Sequence, residues 1–552
     1  MTRRPRAIAI LSCTLMLSAA APAQPQNAAS SEADSLQVQM RKLAQLWQAG
    51  KMDEAVAILE RLRAAGPAAY ARDVRAGICY NLACGYARLD RPDRAIAALQ
   101  DAADLGFARV SQLEQDPDLE SIRNDPRFAA LIALIRTRNT FFQSPAFRSD
   151  YAEKLDTDLK VAGLSRLWAE IRFGLANVGE PATDLDALYL SFLPRVRQAG
   201  STLEYYRLLE RFCAAVHDGH TRVELPPELF AATGYRPALR TRLVEGRIVV
   251  TAVESEDLTA LGLRPGLIVE AIEDMPARRF AQEHVAPHVS ASTPQGHDAL
   301  AYGLYLLLGA RGSTVRLAFR TADGKPLTHV LKRTRPINAG PPAVEYRRLD
   351  DGTAYVRLNS FGRREAVARF AAAFSKLKDA PRLILDLRNN TGGDGGIGFA
   401  ILSHLTEHGF ATAQWRPRVY RAYDRARGLG VEWGAWQRGR WPGANGDPYR
   451  GPVALLVGPL TASAAEDFCV AFRAMGRGPI IGAATAGTTG QPLSFPLPGG
   501  GIGMVCTIQS RLPDGTEFVG KGIVPDVQAV NTIADLRAGR DRVLEAAIER
   551  LR

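Results

Sequence analysis

The chain has 552 residues, 46% of them hydrophobic and 23% charged, with a formal net charge of +11. That length excludes a single core and points to about three or four domains, and the composition excludes a disordered or fibrous protein. The basic excess is spread along the chain without runs of Lys/Arg interleaved with aromatics, which argues against a nucleic-acid partner.

The N-terminus reads as a secretory signal over residues 1–23. Arg3, Arg4 and Arg6 precede an apolar stretch from Ala7 to Ala20, and Ala21-Pro22-Ala23 offers a small-residue cleavage site. The stretch is short for a bilayer span, so a membrane anchor is the weaker reading. Cleavage would lower the formal charge to +8. The expected location is periplasmic or secreted, in a bacterium, with no integral membrane segment in the mature chain. Cys79, Cys84, Cys213, Cys469 and Cys506 then remain. Odd and sparse, they make neither a disulfide framework nor a zinc pattern and are expected as buried small hydrophobes.

Residues 24–37, rich in Gln, Ala and Ser, read as a linker. Over 38–139 the pattern is helical and imperfectly repeated. Leu46-Trp47-Gln48-Ala49-Gly50-Lys51-Met52-Asp53-Glu54-Ala55 matches Tyr86-Ala87-Arg88-Leu89-Asp90-Arg91-Pro92-Asp93-Arg94-Ala95, about 40 residues on. Asn81 to Ala87 supplies small residues where two helices must approach closely. The segment resembles tetratricopeptide repeats, whose period is about 34. The resemblance implies a protein partner; a plain helical spacer is the alternative.

Residues 140–229 keep helical periods, and Gly219 in His217-Asp218-Gly219-His220-Thr221 is read as the stop of the last helix. Residues 230–336 turn to strands around Leu258 to Gly266, closing on a hairpin across Asp323-Gly324. This order resembles a PDZ-like domain, although Leu267 stands where such domains commonly carry Asp. The resemblance implies a groove that takes extended peptide by strand addition and a segment not needed for chemistry elsewhere.

From 337 to 552 strands alternate with helices. Residues 354–358 read as a strand, 364–378 as an amphipathic helix, and 383–387 and 453–457 as continuous apolar strands of a parallel sheet buried on both faces, giving a βαβ core. Residues 410–450, rich in Arg, Trp, Tyr and Gly, break the pattern and are expected as a lid or rim.

Two motifs end the core strands. Arg388-Asn389-Asn390-Thr391-Gly392-Gly393-Asp394-Gly395-Gly396 is a glycine-rich turn where open α/β sheets bind ligands, and its N–H groups suit an oxyanion or a phosphate. It lacks the Lys-Ser/Thr pair of a P-loop. Thr461-Ala462-Ser463-Ala464-Ala465-Glu466 has a bland reading, a capping box from Ser463 to Glu466. Its sharper reading is an exposed serine at a strand-to-helix turn, with the Ala464 N–H beside it. His404 and His408, four apart, lack the Glu and third ligand of a metal site, so no metal and no cofactor is expected. Pro287 makes a shared helical face for His284 and His288 doubtful.

Asp386-Leu387-Arg388-Asn389-Asn390-Thr391-Gly392-Gly393, followed about 70 residues on by Thr461-Ala462-Ser463-Ala464-Ala465-Glu466, resembles the paired signature of the tail-specific, or C-terminal-processing, serine proteases. That family includes the tricorn protease core and the interphotoreceptor retinoid-binding protein. Asp514-Gly515 and Gly520-Lys521-Gly522-Ile523-Val524-Pro525-Asp526 resemble its C-terminal pattern, and Asp218-Gly219-His220-Thr221 its N-terminal helical part. The resemblance implies a multidomain α+β protein: a helical repeat region, a helical subdomain, a PDZ-like β domain and an α/β protease core with a crotonase-like βαβ arrangement. It also implies an exported serine endopeptidase acting on peptides or protein tails. Ser463 would be the nucleophile, and Gly392 or Gly393 with Ala464 the oxyanion donors.

The chain departs from the C-terminal-processing branch, whose Ser–Lys dyad carries its Lys about 25 residues after the Ser. Here that stretch is Ala484-Thr485-Ala486-Gly487-Thr488-Thr489-Gly490, and the only later Lys is Lys521. The tricorn-like branch uses Ser, His and Glu, which makes His220 the expected base and Glu517 the expected third residue, with Asp218, Asp467 and Asp526 competing. Activity should then fall through about pH 6.5, higher if a carboxylate partners the imidazole and lower if it is buried. The alternatives are an inactive peptide- or ligand-binding protein on the same fold, or a repeat-based scaffold.

Overall fold

A computed structural model describes residues 36–70, 72–140, 147–177, 183–443 and 446–552. The expected signal peptide and nearly all of the linker lie outside the described residues. The described residues fall into two compact units, those of 36–140 with 436–442, and those of 147–435 with the ones after 442.

In the first unit the main helices are Leu36–Gln48, Met52–Ala64, Arg72–Arg88, Pro92–Asp104 and Pro126–Thr140. Helix Arg72–Arg88 is buried along most of its length, and small residues let its neighbours close on it. A Cβ at Gly85 would come 2.7 Å from Val56 Cγ2. Trp47 Nε1 donates to Asp118 Oδ2 at 3.0 Å, and Tyr80 donates to the buried Asp116.

The second unit opens with helices Thr157–Gly174, Leu185–Gln198 and Thr202–Ala214, capped by Asp156, Asp184 and Ser201. The last helix ends before Gly219; the positive-φ residue at its exit is His217, at 58°. Gly219 is required for another reason, given below. The short strand Arg222–Glu224 pairs antiparallel with Ile502–Cys506, which fastens this helical part to the C-terminal half.

Residues 230–336 form an antiparallel sheet in the order Leu239–Val244, Arg247–Val253, Ile268–Ile272, Thr314–Arg320, Pro326–Lys332. The core sheet runs Val344–Arg348, Ala354–Leu358, Leu383–Asp386, Val453–Val457, Ile480–Gly482, Val527–Gln528. Its first pair is antiparallel and the rest are parallel. Every residue of Leu383–Asp386 and Val453–Val457 is buried, as a sheet covered on both faces requires. Ile384, Ala454, Leu456 and Ile481 pack under the C-terminal helix Arg542–Arg550. Residues 410–419 are not a lid: Phe410–Val419 is a ten-residue strand, paired with Ile508–Arg511. The alternating Arg and apolar residues there are a strand's two faces. All five described cysteines are buried.

The end of strand Leu383–Asp386 is locked by charge. Arg388 donates to Asp386 at 2.6 Å and to both oxygens of Asp541 at 2.8 Å, while Tyr355 Oη donates to Asp386 at 2.5 Å. Asp541 also caps helix Arg542–Arg550. Asp386→Ala leaves Arg388 half-paired in a buried place. Urea denaturation should register a loss of about 3 kcal/mol; a loss below about 1 kcal/mol would show that the lock carries little.

Candidate active site

Ser463 ends the loop after strand Val453–Val457 and precedes helix Ala464–Ala474, with φ 58° and ψ −130°. A non-glycine residue there stores about 1–3 kcal/mol of strain and needs its surroundings to hold it. The holders are visible. Ser463 N donates to the Thr488 carbonyl at 2.8 Å, and Gly392 lies so close that a Cβ on it would meet Ser463 Cβ at 2.7 Å. The side chain makes no capping bond, so the capping-box reading fails. Oγ instead lies 3.0 Å from His220 Nε2.

His220 is buried in the turn between helix Thr202–Ala214 and strand Arg222–Glu224. Its backbone N–H donates to Asp218 Oδ1 at 3.0 Å, and Thr221 N–H donates to the Asp218 carbonyl at 3.1 Å, so Asp218 shapes the turn. Burial raises the Asp218 carboxyl above its usual range. Burial, with the charge of Arg222 adding to it, pushes the His220 imidazole down to about 4. The ring is therefore neutral at neutral pH, as a general base must be. Its other nitrogen, Nδ1, lies 2.9 Å from Thr488 Oγ1.

The glycine turn meets the serine from the other side. Gly392 N–H is already spent on Asn390 Oδ1 at 2.9 Å, which removes Gly392 as an oxyanion donor. The N–H groups of Gly393 and Ala464 have no acceptor among the described residues. Gly393 has φ 138° and packs on the Phe361 and Gly362 backbone, where no side chain fits.

Glu517 is not beside His220. Its side chain is 71% exposed and pairs with Lys521 at 3.9 Å, because both project from the turn region after Leu512. Asp467 accepts from Thr489 Oγ1 at 3.1 Å, and Asp526 pairs with Arg473 at 3.3 Å, so neither carboxylate takes the place at Nδ1 either. His404 packs on Phe370 and Phe374 and His408 is exposed; no metal-binding group of His, Cys, Asp or Glu occurs among the described residues.

Sequence reasoning gave Glu466 no role beyond the turn. It is fully buried and accepts from Gly487 N (2.7 Å), Thr488 N (2.8 Å) and Thr485 Oγ1 (2.5 Å). Burial pushes its carboxyl up to about 8 against those bonds. The available signal was a pair of charges, Glu466 and Asp467, in the first turn of a helix whose neighbours Ala464, Ala465 and Phe468 are small or apolar.

The profile of peptidase family S41 matches residues 352–529. Those residues are a peptidase S41 domain. It is 30% identical over 228 residues to a carboxyl-terminal-processing protease of Picosynechococcus, covering 40% of this chain and 49% of that one. It is 27% identical over 259 residues to a tricorn protease homologue of Streptomyces coelicolor, covering 44% of this chain and 20% of that one. The chain thus spans about half of the first relative and a fifth of the second. The solved structure of mature CPAF complexed with lactacystin shares the fold, with TM-score 0.55 at 15% identity over 71% of this chain and 97% of that chain.

Residues 230–336 are hydrogen-bonded to the site. Gly219 N–H donates to Ser292 Oγ (3.0 Å), Thr293 Oγ1 to the Ala486 carbonyl (2.8 Å), and Gln295 Nε2 to the Thr485 (3.0 Å) and Lys521 (2.8 Å) carbonyls. Thr293 and Gln295 of the β domain thus hold the loop that touches His220, and Ser292 holds the turn before it. The double variant Thr293→Val/Gln295→Ala should therefore lose about tenfold or more in the rate of Ser463 labelling by a fluorophosphonate, since small misplacements near reacting atoms are costly. An unchanged rate would restore the independence expected from sequence.

Proposed function

We propose that this chain is an exported serine endopeptidase that cuts peptides or protein tails, with Ser463 as nucleophile and His220 as general base. The observation that carries the reading is the 3.0 Å contact between His220 Nε2 and Ser463 Oγ, made by a serine held in a strained strand-to-helix turn. Ser463 Oγ attacks the scissile carbonyl while His220 Nε2 takes its proton. The oxyanion that forms is received by the N–H groups of Gly393 and Ala464. The C–N bond then breaks, His220 returns the proton to the leaving amine, and water, deprotonated by the same nitrogen, releases the acyl group and regenerates Ser463. Lys521 has no part: it is exposed and pairs with Glu517.

In the same reading residues 230–336 are a PDZ-like domain offering a sheet edge to extended peptide, residues 38–139 are tetratricopeptide-like repeats for a protein partner, and the core is crotonase-like. Residues 1–23 direct the chain to the periplasm or the medium.

Fluorophosphonate labelling of the full chain, with hydrolysis of a casein-derived peptide mixture, tests the activity. Ser463→Ala should abolish both while the thermal melt stays within a few degrees. His220→Ala should lower kcat by about four orders of magnitude or more, and Lys521→Ala should leave it within about twofold. A wild-type chain that neither labels nor cleaves would make this a binding protein on a protease fold.

The pH profile follows from the imidazole. A base works only unprotonated, so kcat/KM should stay level from about pH 8 to 5 and halve near pH 4. An acid limb at the unperturbed value near 6.5 would contradict the burial argument.

A further inference from the structure

A base in a serine triad normally has a carboxylate at its second nitrogen. Here the group at Nδ1 of His220 is a hydroxyl, Thr488 Oγ1, at 2.9 Å. Thr488 sits in an irregular loop between strands Ile480–Gly482 and Pro492–Pro496, yet it is fixed from every side. Its carbonyl accepts from Ser463 N (2.8 Å) and its N–H donates to Glu466 Oε2 (2.8 Å). Its side chain fills the space above Gly219, where a Cβ would come 2.7 Å from Oγ1. That contact is why residue 219 must be glycine.

We propose that Thr488 is the positioning residue of this site: its hydroxyl accepts the Nδ1–H of His220 and so holds the Nε2 lone pair on Ser463, while Glu466 sets the hydroxyl's place through the Thr488 and Gly487 amides. This rests on the reading of Ser463 and His220 as nucleophile and base. The charges facing the imidazole are Arg222, which opposes protonation, and Asp218, which meets the His220 backbone rather than its ring. Glu466 faces it only through Thr488, and Asp467 only through Thr489. With a neutral partner the imidazolium gains little, so the base stays unprotonated in acid, and the site exchanges some rate at neutral pH for a wider acid range.

The test uses the full chain, with the fluorophosphonate labelling rate followed against pH and the melting curve as the folding control. Thr488→Val should slow labelling about 100-fold, and Thr488→Ser should recover it to within about threefold of the wild type. Thr488→Asp should move the acid limb up from near pH 4 by about two pH units, since a carboxylate at Nδ1 stabilises the imidazolium. Wild-type labelling in the Val variant, or an unmoved limb in the Asp variant, overturns the proposal. Nitrogen-15 spectra of the histidines read the same point without activity. A proton on Nδ1 of His220 that loses its preference in Thr488→Val supports the proposal, and a proton on Nε2 overturns it. A chain that never labels but shows the Nδ1 proton would sink the catalytic reading alone.

Discussion

The site depends on how the C-terminal ends of three adjacent parallel strands are stitched together. Thr461 Oγ1 donates to the Leu387 carbonyl at 2.8 Å, and Ala462 N–H to the Asn390 carbonyl at 3.1 Å, so the serine loop is tied to the glycine loop before Ser463 is reached. Asn390 extends the stitch with Nδ2 on the Leu358 carbonyl at 3.0 Å. The Gly393 and Ala464 N–H groups come from different strands, and these bonds set the distance between them. Such groups act on a developing charge only if they are in place beforehand. The Asp386–Arg388–Asp541 lock lies at the root of the same loops.

His220 comes from far away in the chain, 243 residues before Ser463. What joins the halves is the loop holding Thr488, which lies between regular strands and so has backbone groups that need outside partners. Glu466 accepts two of its N–H groups, Ser463 donates to one carbonyl, and Thr293 and Gln295 donate to two more. Burying a carboxyl at Glu466 is unfavourable, as its raised titration shows. Against that cost stand the three hydrogen bonds by which Glu466 ties the loop beside the imidazole.

The parts legible in the sequence were those carried by local pattern. Continuous apolar runs gave the strands Leu383–Asp386 and Val453–Val457, and helical periods gave Thr157–Gly174, Leu185–Gln198 and Thr202–Ala214. The serine at a strand-to-helix turn and the glycine turn were visible as motifs. The parts that were not legible depend on side-chain direction and on contacts across the chain. Glu517 lies in the expected stretch but projects to solvent. Gly392 and Gly393 are neighbours with opposite fates, because one N–H is turned onto Asn390 and the other is not. The Ser463–Glu466 spacing matched a capping box, yet the strained φ of Ser463 swings its hydroxyl away from the helix.

Domain boundaries show the same limit. A change from helical to strand periodicity near residue 230 marks a real change of structure, but periodicity says nothing about what the new segment touches. Ser292, Thr293 and Gln295 lie in and before the short helix Pro294–Ala299, and reach the loop holding Thr488 and the turn before His220. A segment that donates hydrogen bonds to two carbonyls of the loop holding Thr488 helps to set where that loop meets the imidazole. Anything that shifts that helix by the length of a hydrogen bond must shift the carbonyls it holds or leave them unpaired, so the geometry at Ser463 cannot be independent of the β domain.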